Sequence, residues 1–127
     1  MRYLGVDFGS KRVGVALSDE SGRMAFPYVV LRNDKTLLGE MERICKEQKV
    51  KLVVLGESKD FKGDANPIAT QIDEFKKKVE KLTRKKVEYE PEFLTSVQAA
   101  RWQGNVENLD ASAAAIILQS YLDRTRH

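Results

Sequence analysis

The sequence predicts an α/β fold built on a mixed five-stranded sheet, three antiparallel strands followed by parallel strands, with helices on both faces. Three observations predict it. Residues 1–31 carry three strand-like runs joined by turn residues. A nearly continuous apolar run, Val50 to Leu55, lies between two stretches of helical spacing. A short alternating run, Val87 and Tyr89, follows the second of those stretches, as in a chain that alternates strand and helix.

The elements follow in order. Tyr3, Leu4 and Val6 are strand formers, and Val13, Val15 and Leu17 alternate behind them, so two strands joined at Gly9-Ser10-Lys11-Arg12 are the simplest reading. Asp19-Glu20-Ser21-Gly22-Arg23 is a turn, and Ala25 to Leu31 reads as a third strand with Pro27 near its start. Asn33 or Asp34 is placed to cap a helix whose Leu37, Leu38, Met41, Ile44 and Cys45 fall at helical spacing. The run from Val50 to Leu55, ending at Gly56, reads as a central strand covered on both faces. A polar loop from Ser58 to Asn66 leads to Pro67, which suits the first turn of a second helix with Ile68, Ile72, Phe75, Val79 and Leu82 on one stripe. In the fifth strand Glu88, Glu90 and Glu92 alternate with Val87, Tyr89 and Phe93, and Pro91 marks that strand as an edge or as its end. Thr95 or Ser96 caps a third helix through Trp102, Gly104-Asn105 turns, and Asp110 falls at the start of a helical segment from Ala111 to Leu122.

At 127 residues the chain is expected to form one domain, 1–127, long enough to bury a core. Its 42% hydrophobic and 32% charged residues exclude disordered and fibrous classes. No apolar run approaches the roughly 18 residues a membrane helix needs, and no signal-peptide core opens the sequence, so a cytoplasmic location is expected. The single Cys45 has no partner for a disulfide and sits in an apolar helical pattern, and the single His127 is the last residue. Histidine-based acid/base chemistry and a His/Cys zinc site are thereby disfavoured. A net charge of +3 permits a nucleic-acid partner, and the positive charge gathers in Lys76-Lys77-Lys78, Lys81 and Arg84-Lys85-Lys86, a run that also reads as a solvated helix face.

Four acids occupy special places. Asp7 lies inside an apolar strand, where a carboxylate is costly to bury without compensation. Gly5, Gly9 and Gly14 around it suggest an open patch where a phosphodiester backbone approaches closely, although Asp7 also suits the start of a turn. Glu57 follows the central strand, where ligand sites of α/β sheets tend to lie, and Glu92 ends the fifth strand. Asp110 is explained by capping alone. If the first strand lies between the fourth and its antiparallel partner, these ends converge, and their hard oxygens suit Mg or Mn. Ser10, Lys11 and Arg12, in the turn beside Asp7, are candidate nucleic-acid contacts or simply a solvated turn.

The run Gly5-Val-Asp-Phe-Gly-Ser-Lys-Arg-Val-Gly-Val-Ala-Leu-Ser-Asp19 resembles the opening motif of the YqgF/RuvX family, proteins of RNase H-like fold called Holliday junction resolvase-like and pre-16S rRNA nucleases. Asp110-Ala-Ser-Ala-Ala-Ala-Ile-Ile-Leu-Gln-Ser-Tyr-Leu122 resembles the family's final helix, and Leu94-Thr95-Ser96-Val97-Gln98-Ala99 the segment after its Asp-Glu-Arg. The resemblance implies a metal-dependent nuclease with Asp7, Glu92 and Asp110 as an acidic triad. Two departures fall near the chemistry. Pro91-Glu92-Phe93 stands where the family has Asp-Glu-Arg, and Leu55-Gly56-Glu57-Ser58 where it has Val-Gly-Leu-Pro. Resolvases of the RuvC type are similar in placing a glutamate at the end of the fourth strand, so the expected site is Asp7, Glu57 and Asp110, with Glu92 an alternative or additional ligand. Three functions compete: pre-16S rRNA processing, resolution of branched DNA by a homodimer, and nucleic-acid binding without catalysis on a nuclease scaffold.

Overall fold

The computed structural model describes residues 1–57, 67–91 and 106–125, with 67–69 and 106–110 described by backbone alone. The strands β1 (Arg2–Phe8), β2 (Arg12–Ser18), β3 (Ala25–Arg32), β4 (Val50–Glu57) and β5 (Lys86–Pro91) form one sheet in the order β3-β2-β1-β4-β5. β2 pairs antiparallel with β1 and with β3, while β4 pairs parallel with β1 and with β5. The described helices are α1 (Leu37–Glu47), α2 (Pro67–Thr83) and α3 (Val106–Thr125). The expected loop from Ser58 to Asn66, Glu92 and Phe93, the helix from Thr95 or Ser96 to Trp102, the turn at Gly104-Asn105 and the last two residues lie outside the described residues.

Strand alternation divides the core in two. Leu4, Val6, Val13, Val15, Val53 and Leu55 face α1 and α2 and pack with Met41, Ile44, Phe75 and Val79. Ala16 and Val54 face the other way and pack with Ala114, Ile117, Leu118, Tyr121 and Leu122 of α3. β4 thus buries side chains on both faces, which is why its sequence is an unbroken apolar run. Cys45 packs in the first cluster, and burial pushes its thiol up to about 11, against the lesser pull of Lys85. Leu82, expected on the buried stripe of α2, is instead 42% exposed and lines a hollow with Met1 and Cys45. No helix among the described residues is long and apolar enough to cross a membrane.

The face under α3 is made for close approach. A Cβ on Gly5 would lie 2.7 Å from Leu118 Cβ and 2.9 Å from the Ala114 carbonyl oxygen, distances that real Cβ atoms do not tolerate. Ala111, Ala113 and Ala114 supply matching small side chains on the helix. Gly5 is therefore covered by protein and is not part of an open patch beside Asp7, as the sequence suggested.

The acids of β5 are tied to α3. Glu90 is 2% exposed, and its carboxylate accepts from Ser120 Oγ at 2.9 Å and from the Arg124 guanidinium. Glu88 accepts a hydrogen bond from the Tyr121 hydroxyl. The partners lie 30 or more residues away on α3, which folds over the inner face of the edge strand. A buried carboxylate is tolerated only when it is paired and hydrogen-bonded in this way.

Substituting Gly5→Ala should force α3 off the sheet and lower stability by about 1–3 kcal/mol, the usual scale of overpacking. Urea unfolding reads this directly, and an unchanged midpoint would contradict the contact.

Candidate active site

The two faces of β1 decide where Asp7 points. Leu4 and Val6 belong to the first core, and Phe8 meets Phe75 of α2 with ring centroids 4.9 Å apart. The alternate residues face α3: Tyr3 meets Tyr121 at 6.2 Å between centroids, and Gly5 lies beneath Ala114 and Leu118. Asp7, the next residue of that set, is half-buried on the α3 side.

The same contacts place Asp110. Advancing along β1 from Tyr3 to Gly5 moves backward along α3 from Tyr121 to Leu118 and Ala114, so strand and helix run in opposite directions. One further two-residue step of the strand, about 6.7 Å, matches roughly one helical turn of about 5.4 Å. That turn carries Asp110 and Ala111. Ala111 indeed borders the same cleft as Ser10, Lys11 and Arg12, just past the end of β1. The structure therefore brings Asp7 and the helical turn bearing Asp110 to one end of the sheet. Capping does not explain Asp110: α3 begins at Val106, so Asp110 is its fifth residue, a turn inside the helix.

Glu57 is the last residue of β4 and pairs with Pro91. It shares its parity with Val53 and Leu55, which face α1 and α2, so it lies on the face opposite Asp7. Tyr89 registers its charge there. Burial, and then the charges of Asp73 and Glu57, push the Tyr89 hydroxyl up to about 12, and that hydroxyl donates to Asp73 of α2 at 3.3 Å.

Glycines flank Asp7 across the sheet. Gly14 is its direct partner on β2, with Val30 beyond it on β3. On the other side the β1–β4 register runs to Val6 and Leu55, so its next step sets Gly56 beside Asp7, and Gly56 pairs in turn with Glu90. No cross-strand Cβ from these partners crowds the carboxylate. Among the described residues no three acidic, histidine or cysteine side chains gather into a metal site. Of the four candidate acids, Asp7 is the one with a described side chain on this face, and its hard oxygen, in a glycine-flanked space, suits a divalent cation such as Mg or Mn.

Past Asp7 the chain turns tightly. The Gly9 amide donates to the Arg12 carbonyl at 2.9 Å, and a Cβ on Gly9 would lie 2.6 Å from that oxygen. Asn33 ties the turn from β3: its backbone amide donates to the Lys11 carbonyl at 3.0 Å, and its Nδ2 donates to the Gly9 carbonyl at 2.8 Å. Asn33 is thus a brace for the turn and not the helix cap the sequence suggested. The carboxylate of Asp34 takes up the Thr36 amide and hydroxyl just before α1, and these bonds, the hydroxyl's first, hold it below its ordinary value. Sequence reasoning missed Asn33 because its two acceptors lie more than 20 residues earlier.

Ser10, Lys11 and Arg12 border an open cleft of about 1000 Å³ that runs along β3. The basic run on α2 is partly neutralised on its own helix, by Lys76 with Glu80 at 3.4 Å and Lys77 with Asp73 at 3.2 Å.

Comparison with known proteins places the chain in a family. The RuvX family model, described as Holliday junction resolvase, matches residues 1–124. A protein of Clostridium botulinum named "Putative pre-16S rRNA nuclease" is 37% identical over 134 residues, covering 98% of each chain. A protein of the same name from Caldanaerobacter subterraneus is 34% identical over 140 residues, covering 100% of this chain and 99% of its own. The fold is that of Thermus thermophilus RuvC, solved in complex with a Holliday junction substrate, at a TM-score of 0.64 and 13% identity over 99% of this chain and 96% of that one.

Removing the brace with Asn33→Ala should cost about 1 kcal/mol, the net worth of a hydrogen bond, with loosening confined to the turn. Urea unfolding combined with amide exchange at Gly9 and Arg12 checks it, and unaltered exchange there would contradict the assignment.

Proposed function

The chain belongs to the RuvX family, and we propose that it is a divalent-metal-dependent nuclease that hydrolyses phosphodiester bonds in structured RNA, with the precursor of 16S rRNA as its cytoplasmic substrate. The observation that carries the reading is the position of Asp7, a half-buried carboxylate between two glycine-bearing strands, at the end of the sheet where the Asp110 turn of α3 arrives. The near full-length relatives named for pre-16S rRNA support the substrate class.

Asp7 and Asp110 are the principal acids of the proposed site. Glu57 lies on the face of α2, opposite Asp7, so Glu92, which the family resemblance pairs with Asp7 and Asp110, is the preferred third acid. A divalent ion held by such carboxylates supplies water activation and charge stabilisation at the leaving oxygen. The residues of this chain provide the rest. Ser10, Lys11 and Arg12 hold the phosphodiester backbone beside Asp7, and the wall formed by α3 keeps one side of the site from solvent.

Branched DNA is the second reading, favoured by the description of the matching family model. Paired cuts in a four-way junction require a symmetric homodimer. The altered Pro91-Glu92-Phe93 segment motivates a third outcome, nucleic-acid binding without cleavage.

Cleavage of a labelled pre-16S leader and of a four-way DNA junction, with Mg or Mn, separates these readings. Asp7→Asn and Asp110→Asn should each lower cleavage at least about 100-fold, the scale of a few kcal/mol of transition-state stabilisation. Glu92→Gln should weaken it and Glu57→Gln should leave it near wild type. Full activity in Asp7→Asn would overturn the site, and a folded wild type that binds RNA without cutting would leave the binding function alone.

A further inference from the structure

The outer end of the β2–β3 pairing sets two arginines opposite each other. Arg12 and Arg32 are direct partners across the two strands. The Asn33 amide donates to the Lys11 carbonyl, the bond that brackets the pair on its outer side. That pattern makes Arg12 and Arg32 a non-hydrogen-bonded pair, the kind whose Cα atoms are about 4.5 Å apart and whose side chains are closest. Like charges at directly opposed positions destabilise a sheet. Both arginines are exposed and both border the open cleft.

Their position relative to Asp7 gives the pairing a use. Gly14 and Val30 are the partners two residues inward from Arg12 and Arg32, and Gly14 is the partner of Asp7. The two arginines therefore share the face of Asp7. One strand spacing of about 4.8 Å and one two-residue step of about 6.7 Å separate Arg12 from Asp7, or about 8 Å between Cα atoms. Lys11 and Ser10 stand at the same mouth of the cleft. Asp34, the acid whose carboxyl feels the charge of Arg32, already accepts from the Thr36 amide and hydroxyl.

We propose that Arg12 and Arg32 form a two-guanidinium clamp for the phosphodiester group next to the one held at Asp7, and that it leads the nucleic-acid strand out through the cleft along β3. Guanidinium groups grip phosphate oxygens in a bidentate fork, and an anion placed between two of them turns their repulsion into attraction. The clamp rests on the nuclease reading for what happens at Asp7, but strand binding by the arginines does not depend on cleavage.

The test measures binding and stability in the same variants. Fluorescence anisotropy of a labelled single-stranded RNA, and of its duplex, is followed across a range of salt in EDTA for wild type, Arg12→Gln, Arg32→Gln and Arg32→Lys. Arg32→Gln should weaken binding about tenfold at low salt, the effect of losing a charge-assisted contact. It should also flatten the slope of log K against log salt by about 0.7 on the single strand or about 0.9 on the duplex, and the larger loss identifies the strand form that occupies the clamp. The Tm of the free protein should not fall, so that the lost affinity is not a loss of folding. Arg32→Lys should keep most of the salt slope. Unchanged affinity and slope in Arg32→Gln would overturn the clamp, as would weaker binding that comes with a lowered Tm and is not restored in Arg32→Lys. Parallel cleavage assays with Mg keep the two proposals apart. Arginine-dependent binding by a wild type that does not cut removes the nuclease reading alone, while variants that bind and cut like wild type remove the clamp alone.

Discussion

The closeness of α3 to β1 over Gly5 is the constraint on which the rest of this structure depends. With no Cβ at Gly5, the backbone of Ala114 and the side chain of Leu118 rest directly on the strand. That contact sets the height of α3 over the sheet. The ring contact between Tyr3 and Tyr121 sets its direction, and together they deliver the Asp110 turn to the end of β1 that carries Asp7. A chemical site made from the first strand and the last helix needs such a fixed spacing, because its groups come from opposite ends of the chain.

Two carboxylates occupy one row across the α3 face of the sheet, and the protein treats them in opposite ways. Glu90 is closed off, with Ser120 and Arg124 satisfying its oxygens as α3 folds over β5. Asp7 has Gly14 on one side and Gly56 at the next step of the register on the other. The first arrangement stabilises the fold, and the second places the carboxylate proposed to hold the metal between strands without cross-strand side chains. The turn beyond Asp7 follows the same division. Asn33 braces its backbone from within, while Ser10, Lys11 and Arg12 face the cleft.

Much of the fold is legible in the sequence because it rests on local signals. The unbroken apolar run of β4 marks a strand covered on both faces, and the spacing of Met41, Ile44 and Cys45 marks the helix that covers one of them. The place of Asp7 inside an apolar strand is legible as well, since Leu4, Val6 and Phe8 alternate around it. What escapes the sequence depends on parity and on distant partners. That Glu57 faces α2 while Asp7 faces α3 follows from the register between β1 and β4, which no local pattern reveals. Nothing near Glu90 in the sequence signals its burial, because Arg124, its ion-pair partner, lies 34 residues later. Asp110 reads as a cap only because the polar residues before Ala111 hide an extra turn of helix. The glycine at position 5 looks like open space and proves to be the seat of a helix.

The proposed reactive site lies on the α3 face of the sheet, at Asp7, and not at the acid that ends β4. Anomalous scattering from crystals grown with manganese tests this most directly. A manganese peak is expected within ligand distance of the Asp7 carboxylate, about 2.0–2.2 Å for such hard oxygen ligands, on the side of the Asp110 turn. A peak on the α2 side at Glu57, with none at Asp7, would contradict it.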